Sequence, residues 1–304
     1  MTEKDLSRFP KLSDTATSHI GFRVPDVEAT ADFYCRVLGM HRHAELDEGG
    51  VRLGWGTGHH VMDLHPGEQA LVHYGFEVRD PGGVQLIRDR LTAAGIAFEE
   101  LDPSFVDEAT GAADGIRVLD PDGTSVHFHA PVFRSGENSA DTGRRPIKFQ
   151  HTTVGTADPK RMVGFFLDVL GFRLTDKLND ENFFWLRSNH DHHTLAIVFV
   201  GQSGVLDHYS YDLAEWEDFK AWCDRLTELG VAIQWGPGRH GPGNNLFVFF
   251  DDPAGTHIEL SAEMEKYHDD RAVISERVWT PMPETINVWG GQLPKWRKVG
   301  GGVN

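Results

Sequence analysis

The chain has 304 residues, enough for two domains with separate cores, and a formal net charge of −17 from 29 basic and 46 acidic residues. A surface of that sign repels phosphate backbones and anionic lipid heads, which argues against nucleic acid and membrane as partners. Apolar residues at 39% and charged residues at 25% are ordinary for a globular protein, and no run of about 18 apolar residues offers a membrane span. Met1 to Leu12 is polar and lacks the apolar core of a signal peptide. Cys35 and Cys223 fall in predicted helices of different halves, so the expectation is reduced thiols and a cytoplasmic protein.

Thr17-Ser18-His19 opens the first predicted strand, which alternates through Ile20 to Val24. Pro25-Asp26 then starts a helix whose apolar residues, Val27 through Leu38, recur at helical spacing up to Gly39. Short strands follow, including Val51 to Trp55. A second unit opens on Leu71 to Val78, with a helix over Gly83 to Ala94 and strands at Ala97–Leu101, Gly115–Leu119 and Ser125–His129. Ala130 through Pro146 reads as a linker. Gln150-His151-Thr152 restarts the first unit, with a helix near Pro159 to Leu170, and His208-Tyr209 restarts the second, with a helix near Ala214 to Leu229. The offset is 132 residues for His19 and Phe33 (151 − 19 and 165 − 33), and Asp120-Pro121 recurs at the same offset as Asp252-Pro253. His59-His60 recurs as His192-His193, and His73 as His208. The fold class is therefore α+β, with four strand–helix–three-strand (βαβββ) units in two halves. The expected divisions are an N-terminal domain over 1–135, a C-terminal domain over 146–265, and a tail over 266–304 that carries Trp279, Trp289 and Trp296 and packs on the second domain.

The repeat ends on His127 in the first half and on Glu259 in the second. His151, His208 and Glu259 thus lie at matched points of paired units. Two imidazoles and one carboxylate on one face of an octahedron leave three positions open, the arrangement of non-haem Fe(II) sites. His193 is a candidate acid/base, because an imidazole with a pKa near 6.5 can both take and return a proton near neutral pH. His192 before it should point to the opposite side of an extended segment.

These strings, in this order and spacing, resemble the type I extradiol ring-cleavage dioxygenases of the vicinal oxygen chelate superfamily, over roughly residues 15 to 290. The carriers are Phe149-Gln150-His151-Thr152, His192-His193-Thr194, Asp207-His208, Gly238-Arg239-His240, and Glu259 after Asp252-Pro253-Ala254-Gly255. The resemblance implies four βαβββ modules paired into two vicinal oxygen chelate domains, a metal-free N-terminal domain, and Fe(II), alternatively Mn(II), held by His151, His208 and Glu259. It implies an acid/base role for His193 and a substrate hydrogen bond for His240. Phe249, Trp185 and Asn245 are the candidate substrate contacts. The implied partners are a small aromatic substrate and O₂, in a homo-oligomer. One departure stands out. The family places a tyrosine nine residues after the position of His240, and here that residue is Phe249. Tyr209 or Tyr211 could take over its hydroxyl, or the substrate could differ.

The first half places His19, His73 and His127 at the equivalent points, with His60 beside them. Three imidazoles can hold a metal, as they do zinc. Three functions remain open: the dioxygenase, a metal-dependent isomerase, lyase or transferase on the same scaffold, and a non-catalytic protein that sequesters an aromatic ligand.

Overall fold

A computed structural model describes residues 6–55, 61–102, 114–132, 144–290 and 293. His59, His60, most of the linker, Trp296 and the chain's last residues lie outside the described residues. The first unit is β1 (Ala16–Val24), α1 (Val27–Leu38), β2 (His41–Leu46), β3 (Gly50–Gly54) and β4 (Met62–Pro66); the second is β5 (Ala70–Glu77), α2 (Pro81–Ala94), β6 (Glu99–Glu100), β7 (Gly115–Leu119) and β8 (Ser125–His129). The third is β9 (Lys148–Thr156), α3 (Pro159–Gly164), β10 (Arg173–Leu178), β11 (Phe183–Arg187) and β12 (Leu195–Phe199); the fourth is β13 (Val205–Leu213), α4 (Trp216–Glu228), β14 (Trp235–Arg239), β15 (Leu246–Asp251) and β16 (His257–Ala262). The tail adds β17 (Arg277–Trp279) and α5 (Pro283–Ile286). All four units read strand, helix, three strands.

Local chemistry sets the helix limits. Asp26 accepts the Ala29 N–H at the start of α1, and Gly39, at φ 70°, ends it in the left-handed region. The third-unit helix does not stay α-helical: after Gly164 it continues as a π-helix over Phe165–Leu170. The helix expected from Ala214 begins at Trp216 instead, because β13 runs on to Leu213. The strand expected over Ala97–Leu101 shrinks to two residues.

Each half folds into one mixed sheet, ordered β2-β3-β4-β1-β5-β8-β7-β6 in the first and β14-β15-β16-β13-β9-β12-β11-β10-β17 in the second. The opening strands of paired units, β1 with β5 and β9 with β13, run antiparallel at the sheet centres. Helices cover one face of each sheet, and a large apolar core there joins the halves. Within it the Tyr34 hydroxyl donates to Asp252 at 2.8 Å and lies 2.5 Å from the Tyr209 hydroxyl. The halves also cap each other's helices. Arg90 of α2 donates to the Val169 and Asp168 carbonyls, and Arg225 of α4 donates to those of Val37 and Arg36. A guanidinium at a helix C-terminus satisfies orphan carbonyls and favours the dipole.

The sheet face away from the helices positions the site. A smaller apolar cluster forms there from Leu178, Phe183, Trp185, Ala196, Trp235, Phe247, Phe249 and Ile286. Register shifts in the β9–β13 ladder fall between the Phe149 and His151 pairings and between the Leu206 and His208 pairings. Gln150 and Asp207 are thus bulged residues. A bulge breaks strict alternation, so a residue and its neighbour can put their side chains together. No helix among the described residues is long and apolar enough to cross a membrane.

Candidate metal centre

β9 contributes His151, β13 contributes His208 and β16 contributes Glu259 to one buried point. His151 Nε2 lies 3.1 Å from Glu259 Oε2, His208 Nε2 lies 3.5 Å from the same oxygen, and the two ring nitrogens are 3.3 Å apart. A facial triangle on an octahedral ion with bonds of ~2.1 Å has edges of about 3 Å, close to these. The bulged neighbours fix the tautomers. Gln150 Nε2 donates to Asp212, which leaves Gln150 Oε1 to accept His151 Nδ1–H at 3.1 Å. His208 Nδ1–H donates to Asp207 at 2.5 Å. Both Nε2 lone pairs therefore face the carboxylate, as metal ligation requires. Burial alone would raise Glu259, yet His151, His208 and His240 outweigh it and hold the carboxyl well below its usual range. Burial pulls His151 down; at His208 it is outweighed by Asp207 and Glu259, and that ring is raised. The donor chemistry fits a divalent ion of the iron or manganese kind.

His193 reaches the same floor, its ring centroid 4.3 Å from that of His151. Behind it runs a relay. His192 Nδ1 lies 2.9 Å from His193 Nδ1, and His192 Nε2 lies 3.1 Å from Asp176 Oδ2, off a straight hydrogen-bond line. Asp176 also accepts from Arg277 at 2.8 Å and from Trp279 at 2.7 Å. Burial would raise Asp176, but His192, Arg277 and Trp279 together lower it, so it is a carboxylate. A carboxylate at 3.1 Å favours the tautomer with its proton on His192 Nε2, and in that tautomer His192 Nδ1 accepts from His193 Nδ1–H. His193 Nε2 is left as an acceptor, and burial lowers the ring well below 6.5, so it is neutral. The condition of an extended segment does not hold: the chain bends at His192 and Thr194, and His192 touches His193 rather than facing away.

His240 Nδ1 donates to the Ile286 carbonyl at 2.6 Å, and its Nε2 lies 3.6 Å from Glu259 Oε1. The cleft above these groups is walled by Phe183, Trp185, Trp235, Pro242, Phe249 and Ile286. Phe249 packs 5.1 Å from the His208 ring. Trp185 lies in the wall, stacked on Phe183 at 4.1 Å. Asn245 does not: it is fully buried beneath Glu259, donating to Oε1 at 3.1 Å and to Ser261 at 2.8 Å, which makes it a support for the carboxylate. Tyr209 and Tyr211 do not reach the cleft either. They face the core between the halves, 6.1 Å from Phe22 and 5.0 Å from Trp55 respectively. Phe183, Trp235 and Ile286 were not singled out from the sequence; only aromatic residues near the metal strands could have pointed to the first two.

The first half repeats this floor. Its bulges fall at Ser18 and Val72, the counterparts of Gln150 and Asp207. His129 Nδ1 donates to the Ala130 carbonyl, and burial holds that ring down to about 4 and neutral. Its Nε2 therefore accepts the Ser18 hydroxyl at 2.9 Å, and Ser18 Oγ accepts His19 Nδ1–H at 2.8 Å. The His19 Nε2 lone pair then faces His127 Nδ1 at 3.1 Å. Above this floor the described residues differ from those of the cleft wall. Trp185 and Ala196 pair across β11 and β12, but the matching pair across β3 and β4 is Arg52 and Asp63. These form a buried ion pair at 2.9 and 3.0 Å that fills the space.

Residues 16–128 and 148–260 each match the model of the Glyoxalase/Bleomycin resistance protein/Dioxygenase superfamily. The chain is 26% identical over 267 residues to the manganese-dependent 2,3-dihydroxybiphenyl 1,2-dioxygenase of Geobacillus genomosp. 3, covering 80% of this chain and 83% of that protein. It is 25% identical over 303 residues to an iron-dependent extradiol dioxygenase of Rhodococcus jostii, covering 92% and 97%. Among solved structures, the Mn(II)-bound glyoxalase from Novosphingobium aromaticivorans superposes with a TM-score of 0.77 at 28% identity, covering 92% of this chain and 91% of that one. The homoprotocatechuate 2,3-dioxygenase of Arthrobacter globiformis superposes at 0.79 and 23% identity, covering 97% and 94%, a likeness of fold.

Proposed function

The chain belongs to the Glyoxalase/Bleomycin resistance protein/Dioxygenase superfamily, in its extradiol dioxygenase branch, and we propose that it opens a catechol-type ring bearing a neutral apolar substituent, using O₂ and Fe(II). The observation that carries this reading is the convergence of His151 Nε2, His208 Nε2 and Glu259 Oε2 on the floor of an apolar cleft, with His193 beside them. Mn(II) is the alternative ion, since the donor set suits both. The assembly we expect is a homo-oligomer in the cytoplasm.

An ion held by His151, His208 and Glu259 would supply Lewis-acid and redox chemistry and would acidify a substrate hydroxyl. The protein's own residues do the rest. His193, neutral with Nε2 free to accept, takes a proton from the substrate hydroxyl and holds it for return, while His192 and Asp176 steady the charge it acquires. His240, anchored through Nδ1 to Ile286, orients a substrate oxygen with the other nitrogen. Phe183, Trp185, Trp235 and Phe249 exclude water and grip the substituent. Among the described residues the cleft lining holds no Lys or Arg, so a carboxylated ring would lose several kcal/mol on leaving water unpaired.

Oxygen uptake by anaerobically Fe(II)-loaded protein tests this directly. Alkyl- or aryl-substituted catechols should be consumed with ring-cleavage colour, and catechols bearing a carboxylate should not. Uptake with neither sinks the oxygenase reading. The absence of a hydroxyl at Phe249 favours one second reading, a metal-dependent isomerase, lyase or transferase at the same centre; turnover without O₂ would support it.

A further inference from the structure

We propose that the first half holds a second divalent ion, of the Zn(II) class, on His19, His73 and His127. These three come from β1, β5 and β8, the counterparts of the strands that carry His151, His208 and Glu259. Their ring nitrogens lie within 4.8 Å of one another, and all three side chains are buried. The Ser18–His129 relay aims the His19 Nε2 lone pair at the cluster. His127 Nδ1 lies 3.1 Å from His19 Nε2, and its Nε2 lies 3.1 Å from Ser125 Oγ. Opposite residues make room for the rings. His73 pairs with Gly21 and His19 with Gly75. A Cβ at Gly21 would stand 2.2 Å from His73 Cε1, and one at Gly75 would stand 2.0 Å from His19 Cε1. The second half has Thr153 and Ser210 at those places. The first half therefore seats His19 with a polar bulged neighbour, Ser18, and makes room for His19 and His73 with glycines where the second half has Ser210 and Thr153.

Three imidazoles and no carboxylate select a borderline-soft ion that prefers four ligands over one that needs hard oxygen donors. Asp63 Oδ2 lies 3.9 Å from His73 Nε2 and supplies the nearest negative charge, shared with Arg52. Among the described residues, the ion pair Arg52–Asp63 stands where Trp185 and Ala196 pair in the second half, so we assign this ion no organic substrate. Its work is to tie β1, β5 and β8 at the sheet centre.

Metal stoichiometry decides the matter. Full-length protein stripped with chelator and re-equilibrated with Zn(II) should retain two ions per chain after gel filtration. His151→Ala/Glu259→Ala should retain one, and adding His127→Ala should remove it. One ion in the wild type and none in the double variant overturns the proposal, as does an ion that survives in the triple variant. Since His127→Ala can unfold this half, X-ray absorption at the zinc edge of the double variant provides a second measurement. Three imidazole ligands are expected there; fewer than three would overturn the assignment.

Discussion

Phe249→Tyr probes the wall where a hydroxyl is missing. The Phe249 ring is 1% exposed and sits 5.1 Å from both His208 and Trp235 ring centroids, so a phenol there enters an apolar, water-poor space. Without substrate, the new hydroxyl has no assured partner, which costs about 1–3 kcal/mol and should lower Tm by about 2–4 °C for each kcal/mol. With a plain catechol bound, it can donate to an ionising ring oxygen, worth about 1.5–3 kcal/mol, or roughly 10- to 150-fold in kcat/KM. An apolar-substituted catechol gains the same bond but loses room against Phe183, Trp185 and Trp235. The kcat/KM ratio of catechol to a bulky apolar analogue should therefore rise about tenfold or more in the variant. Both substrates are assayed by oxygen uptake with Fe(II) content matched between proteins. A ratio unchanged within about twofold would show that Phe249 is core packing with no part in reading the substrate.

Glu259→Ala removes the one anionic donor of the trio and should abolish tight metal retention at the second-half site; iron retained at wild-type occupancy there would refute the ligand assignment. His193→Ala should leave iron content unchanged and cut turnover by roughly 10²-fold or more, and an unaltered rate across pH would remove its acid/base role. Asp176→Asn should retain metal and KM yet change the pH profile of kcat, because Asp176 sets the proton on His192 and so on His193; a stability loss with an unmoved profile would make it merely structural. Asp212 tests linkage: burial first, with Asp191 adding and Lys148 opposing, raises its carboxyl from 3.8 to about 6. The folded chain thus binds more protons than the unfolded chain between those values, so stability should fall as pH rises through that window, by up to about 3 kcal/mol. Asp212→Asn should flatten urea midpoints across pH 4–6 relative to wild type, and an identical slope would exclude Asp212 as its source.

The repeat made the four units and the metal trio legible, because duplicated strands carry their residues to matching places whatever lies between. It could not show how the imidazoles are held. Gln150 and Asp207 look like any polar strand residue; only the ladder reveals that each is bulged and turned toward the histidine beside it. Strict alternation misled at His192 for the same reason, since a bend replaced the strand. Asn245 carries the polarity of a substrate contact, but its amide nitrogen is spent on Glu259 and Ser261, a distinction that depends on which way one side chain turns. The tail was the least readable part because it follows no repeat, and its partners are far off in sequence. Yet Ile286 anchors His240, while Arg277 and Trp279 hold Asp176. Those contacts couple the tail to His240 directly and to His193 through Asp176 and His192. Damage to β17 should therefore reach the chemistry through Asp176 and His192 before it reaches the metal, whose ligands rest on β9, β13 and β16.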